Sequence, residues 1–204
     1  MDIHLFQNDL PEGFVLEGDI AIDTETMGLK LKRDKLCLIQ MCDESGKVCL
    51  VQFPDRNYSA PRLRSLLLDK TRTKIFHFAR FDLAAIEYYL GITLENIFCT
   101  KIASKLARTY TDSHGLKDLC RELLAVQISK QQQSSDWGGH NLSFDQQEYA
   151  AKDVLYLHKL RDKLADMLKR EHRLELAKQL FAFLPARAHL DIIGWEDVDI
   201  FAHG

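Results

Sequence analysis

The stretch Asp23-Thr24-Glu25, which closes the apolar run Ile20-Ala21-Ile22, constrains this chain more than any other. The run is short, β-branched and bounded by Gly18 and Gly28, which predicts a buried strand over 18–25. Residues two apart on a strand point to the same side, so Asp23 and Glu25 are neighbours on one face. Two carboxylates set together at the end of a central strand repel each other and lose hydration. Two readings are open at this point. A hard divalent cation would take both as oxygen ligands. Otherwise the strand simply ends in a solvated loop.

The 204 residues are enough for one sizeable domain. A net charge of −3 argues against a broad basic surface for long nucleic acid, but leaves room for a short anionic ligand in a local site. The five cysteines, Cys37, Cys42, Cys49, Cys99 and Cys120, form no C-x-x-C pair. Cys37, Cys49 and Cys99 sit among apolar residues and read as small core groups, and the set is expected to belong to a reducing, cytoplasmic compartment, with no zinc site. Met1-Asp2-Ile3-His4 lacks the basic and apolar regions of a signal peptide, so none is expected. No apolar run approaches transmembrane length, so no membrane partner is expected.

The pattern predicts an edge strand at 3–6 and a hairpin from 36–43 and 47–53 around Glu44-Ser45-Gly46. A helix is expected at 61–69, opened by Pro61, and a strand at 74–78. A helix at 80–90 capped by Gly91, a strand at 97–98, and helices at 100–108 and 115–125 follow. Residues 129–142 read as a polar loop with an isolated Trp137, either a connector or the lining of a groove. Ser143 and Gln146 fit a capping box that opens one long helix to about 170. A last helix over 174–184 is expected to stop at Pro185. The fold class is α/β: a mixed sheet of five to six strands flanked by helices. Residues 1–185 form a single domain in this reading, and 186–204 a tail that packs at a subunit interface or on its own domain.

Four acids then require one explanation. Asp82 follows the 74–78 strand, and Asp153 shares a helix face with Tyr149, four residues earlier. Strand ends of an open α/β sheet are where functional groups converge. Converging carboxylates are destabilising without cations. With two divalent ions they form a phosphoryl-transfer site, in which one ion activates a water and the other stabilises the leaving oxygen.

These motifs resemble a known family. Asp23-Thr24-Glu25, Phe81-Asp82 and Tyr149-Ala150-Ala151-Lys152-Asp153 are similar, in order and spacing, to the three motifs of DEDD-type 3′–5′ exonucleases of the RNase D branch, in the Tyr form Y-x-x-x-D. Ser135-Asp136-Trp137 through Leu142 is similar to the RNase D consensus ahead of the third motif, and the resemblance covers roughly 15–170. It implies a ribonuclease H-like fold and two Mg2+ or Mn2+ ions. Asp23, Glu25 and Asp153 would hold the first ion, Asp23 and Asp82 would serve the second, and Tyr149 would position the nucleophile. There are departures. Phe78 stands where the family usually has Asn, and His140-Asn141 replace a frequent Arg-Pro. The helical nucleic-acid-binding domains of RNase D have no counterpart here.

The segments Cys99 to Ser104 and Arg108 to Lys117 look most like the compact nanoRNase C group, associated with degradation of very short RNAs, including dinucleotides, and with homo-oligomeric rings, possibly of eight subunits by resemblance. The expectation is therefore a 3′–5′ exoribonuclease acting on oligoribonucleotides. The alternatives are trimming of longer RNA or single-stranded DNA, and a non-catalytic nucleic-acid-binding module. Candidate substrate contacts near the first motif are Thr24, Thr26, Met27, Gly28 and Leu31, with Leu29 and the basic cluster Lys30, Lys32, Arg33 and Lys35 beside them. Near the second and third motifs they are His77, Phe78, Arg80, Phe81 and Trp137. Apolar and aromatic groups among these are expected to stack bases.

Overall fold

A computed structural model describes residues 2–128 and 135–203. The part of the expected polar loop at 129–134 lies outside the described residues.

Six strands, β1 (Ile3–Gln7), β2 (Ile20–Thr26), β3 (Leu36–Cys42), β4 (Val48–Gln52), β5 (Lys74–Phe76) and β6 (Ile97–Cys99), form one sheet in the order β1-β4-β3-β2-β5-β6. The β2–β3 and β3–β4 pairs are antiparallel, and the others are parallel. This is the mixed sheet expected from a strand meander followed by alternating helices and strands. β3 and β4 are buried at every position, so they read as continuous apolar runs rather than alternating ones. The β2–β3 register shifts between Glu25 and Thr26. A bulge at that point bends the strand end and re-aims its last side chains.

The helices are α1 (Pro61–Leu67), α2 (Ala79–Leu90), α3 (Thr100–Ala107), α4 (Leu116–Leu124), α5 (Phe144–Leu155), α6 (Leu157–Arg170) and α7 (Leu174–Ile192). α5 packs across β2, β3 and β4, whereas α2 lies against β2 and β5 and also pairs with α7. The Ser143–Gln146 capping box is present. Among the described residues, no helix is long and apolar enough to cross a membrane. All five cysteines are buried and free.

Three local expectations are corrected. The single helix over 143–170 is two helices that meet at Tyr156, whose φ of −100° and ψ of −4° leave the helical run. The break lets Ala150 and Val154 pack on the sheet while Leu157, Leu160, Leu164 and Leu168 bury against other helices. Next, Pro185 lies inside α7 and does not end it. Proline removes one backbone bond from a helix interior, at a cost of ~3 kcal/mol. Burial of Phe181, Leu184 and Ala188 around it keeps the helix continuous to Ile192. Finally, the strand expected at 74–78 ends at Phe76. Phe78 turns to φ 68°, an uncommon conformation for a non-glycine residue, and starts α2 immediately.

Candidate active site

Strand alternation sorts the first motif between two helices. Asp23 and Glu25 point toward α5, where one carboxylate oxygen from each and one from Asp153 lie within 4.8 Å of one another. Thr24 points the other way and binds α2: its backbone N–H and its Oγ1 both donate to Asp82 Oδ1, at 3.1 and 2.7 Å. Among the described residues, Asp23, Glu25 and Asp153 are the one cluster suited to a metal ion. Asp82 stands just outside that set, tied to it through Thr24.

The electrostatics follow from this placement. Burial, then the charges of Asp82, Asp153 and Glu25, hold the Asp23 carboxyl well above the usual carboxylate range. Burial and the neighbouring Asp153 and Asp82 push Glu25 up to about 9. Asp82 rises to about 7 through burial, opposed by its bonds to Thr24. Burial, then Asp153 and Glu25, raises the Tyr149 hydroxyl, which also hydrogen-bonds to Asp153. Carboxylates brought this close together and partly withdrawn from water are costly unless positive charge offsets them. Every donor is a hard oxygen, and three of them converge. The residues present fit a divalent cation of the Mg2+ or Mn2+ type.

The candidate substrate contacts scatter more than the acids do. Thr24 is buried as the anchor of Asp82. Thr26 closes the next turn, with Oγ1 donating to the Gly28 carbonyl at 2.5 Å. Gly28 is required by crowding, because a Cβ there would stand 2.4 Å from Asp34 Oδ2. Asp34 builds this loop by accepting from the Lys30 N–H at 2.8 Å and from the Arg33 guanidinium at 2.6 and 2.8 Å. Met27 is exposed, and Leu31 is half-buried against the core.

A cleft of about 510 Å³ is lined by Leu29, Leu31, Lys30 and Lys32 from this loop, and by Phe78, Arg80 and Phe81 from the start of α2. Asp191, Gly194, Glu196 and Asp197 close its far side. Phe78 is exposed, with Lys101 Nζ 4.4 Å from its ring centre. His77 Nδ1 lies 2.9 Å from Thr100 Oγ1.

Two candidates also carry structural contacts. Arg80 makes a two-pronged bond to Asp191, at 2.7 Å for each nitrogen, and donates to the Glu196 carbonyl at 2.6 Å. It fastens the C-terminal segment to α2. Trp137 is buried, its ring 6.1 Å from that of Tyr149. It packs beside the catalytic tyrosine candidate.

Sequence reasoning missed Gln40. This residue is fully buried on β3, directly across from Asp23 in the strand register, and its Nε2 donates to Asp23 Oδ2 at 2.6 Å. The available signal was a lone glutamine within the apolar run Leu36 to Cys42.

Known proteins resemble this chain in sequence and fold. A family model for 3′–5′ exonuclease domains matches residues 7–169. Ribonuclease D of Gluconacetobacter diazotrophicus is 33% identical over 156 residues, 76% of this chain and 39% of that protein. DNA polymerase I of Aquifex aeolicus is 35% identical over 149 residues, 73% of this chain and 24% of that protein. The chain spans about two fifths of the length of the ribonuclease D relatives it matches. Among solved structures, Brucella melitensis NrnC bound to pGG superposes with a TM-score of 0.95 at 50% identity, over the full length of both chains. The same protein with bound Mg2+ gives 0.94 at 49%, again over both full lengths. With the acids in family order and the matched model covering most of its length, the chain belongs to the 3′–5′ exonuclease family.

Proposed function

We propose that this protein is a metal-dependent 3′–5′ exoribonuclease that hydrolyses short oligoribonucleotides, down to dinucleotides, to nucleoside 5′-monophosphates. The observation that carries the reading is the half-buried Asp23, Glu25 and Asp153 cluster, in a chain alike over its full length to a nuclease bound to pGG. Net negative charge, with basic side chains confined to the local group Lys30 and Lys32 in the cleft, suits a short substrate with few phosphates to contact.

Asp23, Glu25 and Asp153 would hold one divalent cation, and Asp23 with Asp82 a second. Bound there, the pair would lower the pKa of a water and neutralise charge developing on the leaving oxygen. The protein's own groups do the positioning. Thr24 fixes Asp82 by two bonds to one oxygen, which leaves Oδ2 for a ligand. Tyr149, braced by Trp137 and bonded to Asp153, is placed to orient the attacking water. Its raised pKa keeps it a neutral donor. Phe78 and Met27 offer exposed apolar surface for bases.

We place the protein in the cytoplasm, in keeping with five free, buried thiols. We also propose a homo-oligomer built through the C-terminal segment, where Ile193, Trp195, Val198, Ile200 and Phe201 are exposed together. Light scattering tests this: an unchanged subunit number after removal of residues from Asp191 onward rejects it.

The activity is tested by a time course on 5′-labelled RNAs, from a dinucleotide upward, with Mg2+ or Mn2+. Fast turnover of the dinucleotide, with slower turnover of longer RNA, is expected. Stepwise trimming of long RNA or single-stranded DNA, with the dinucleotide left over, would replace this reading with a ribonuclease D-like one.

A further inference from the structure

Gln40 is an anomaly in its own strand. Its neighbours Leu38, Ile39, Met41 and Cys42 are apolar and buried, and Gln40 itself has no exposed surface. An amide in such a place needs partners. Its Nε2 has one, Asp23 Oδ2 at 2.6 Å. With a cation bound, Asp23 is an ionised carboxylate that only accepts hydrogen bonds, so the donor Nε2 is the end of the amide that faces the acid. The Oε1 end is then buried with no partner among the described residues. A glutamine kept for stability alone would be better replaced by a hydrocarbon of the same size. The placement makes sense as a brace on the acid across the strand.

We infer that Gln40 is a positioning residue for the metal site: by holding one oxygen of Asp23, it aims the other at the cation and sets the rotamer of the ligand shared by both proposed ions. Groups bonded to ligating carboxylates typically govern metal affinity by roughly 10- to 100-fold. The inference rests on the reading of Asp23 and Glu25 as metal ligands.

Gln52 supplies the control. It is equally buried on the adjacent strand, and its Oε1 is also without a partner among the described residues. Its Nε2, however, donates to the Gly139 carbonyl at 2.9 Å, away from the acids. Both are glutamines in an apolar interior, but one alone touches a ligand.

The test is isothermal titration calorimetry with Mn2+ on the full chain, without RNA, for wild type, Gln40→Met, Gln40→Asn and Gln52→Met, each checked for folding by circular dichroism. Gln40→Met keeps the volume and removes the donor. Gln40→Asn keeps the amide but falls short by a methylene. Both are expected to weaken Mn2+ binding by roughly 10-fold or more, while Gln52→Met stays within about twofold of wild type. The Mn2+ concentration for half-maximal hydrolysis should rise in step, with KM for RNA little changed. Wild-type protein that binds no Mn2+ would defeat the metal-site reading itself. Wild type that binds, with Gln40→Met binding equally well, would overturn the role of Gln40 alone. Equal weakening in the Gln40 and Gln52 variants would overturn it too, as would failure of both Gln40 variants to fold, since either result makes the side chain a general core requirement.

Discussion

Replacing Asp82 by asparagine should make the metal-free protein more stable while removing its activity. Asp82 Oδ1 accepts from the Thr24 N–H and Oγ1, and an asparagine Oδ1 can accept the same two bonds. What the substitution removes is the buried charge. The Asp82 carboxyl rises from the ordinary 3.8 to about 7 in the folded protein, chiefly through burial. The folded state therefore keeps a proton that the unfolded chain gives up above about pH 4. Stability linked to that proton is fully present at lower pH and is lost as pH climbs through about 7. At pH 8 the folded carboxylate is charged, and the difference between 3.8 and about 7, at about 1.4 kcal/mol per pH unit, is a penalty of about 4 kcal/mol. Imperfect packing of the amide cuts the recoverable part to about 2–4 kcal/mol. For a chain of this size that is a rise in Tm of roughly 5–15 °C. The assay is thermal unfolding in EDTA at pH 8, repeated at pH 3, where Asp82 is largely protonated in both states and the gain should shrink toward zero. A variant that melts at or below wild type at pH 8 would refute the reasoning, because it would mean that Asp82 carries no burial penalty for a cation to relieve.

Further outcomes follow from the same geometry. With Glu25 raised to about 9 and Asp82 to about 7, the metal-free protein should lose stability steadily from pH 5 to pH 9, and the Tm gain from saturating Mn2+ should grow over that range, as differential scanning fluorimetry can record. Mn2+ binding at pH 7 should release protons, seen as a dependence of calorimetric enthalpy on the ionisation heat of the buffer. Tyr149→Phe removes the hydroxyl bonded to Asp153 and should lower kcat by roughly 100-fold with little change in Tm, so single-turnover rates within twofold of wild type would remove Tyr149 from the chemistry. Trp137→Ala empties a buried site behind Tyr149; it should cost about 3–5 kcal/mol in urea unfolding and lower kcat as well. Arg80→Ala frees the segment beyond Asp191 from α2 and should speed proteolysis near 191–197 on a gel, leaving the Mn2+ affinity unaltered.

The acids were legible in the sequence because local patterns carry them. A strand places Asp23 and Glu25 on one side by alternation, a helix places Tyr149 above Asp153 by its turn, and Ser143 with Gln146 announces where that helix begins. None of this needs contacts between distant segments. The misread elements are those in which distant contacts outweigh local rules. Pro185 would end an isolated helix, but Phe181, Leu184 and Ala188 bury around it and hold α7 together. The stripe over 143–170 looks continuous in one dimension, yet its two halves face different neighbours and break at Tyr156. Only the folded chain shows that Trp137 packs beside Tyr149 and that Arg80, while lining the cleft, is bonded to Asp191.

By itself, then, the order and spacing of residues determined which carboxylates are candidate ligands and which elements carry them, because periodicity and turn chemistry act over a few residues. Only the tertiary structure decided what holds those ligands. The β2–β3 register sets Gln40 opposite Asp23, and the packing of α2 on β2 lets Thr24 grip Asp82 from the opposite side. Both contacts join segments separated by many residues, so their free energy exists only once the sheet has closed and the acids have left water.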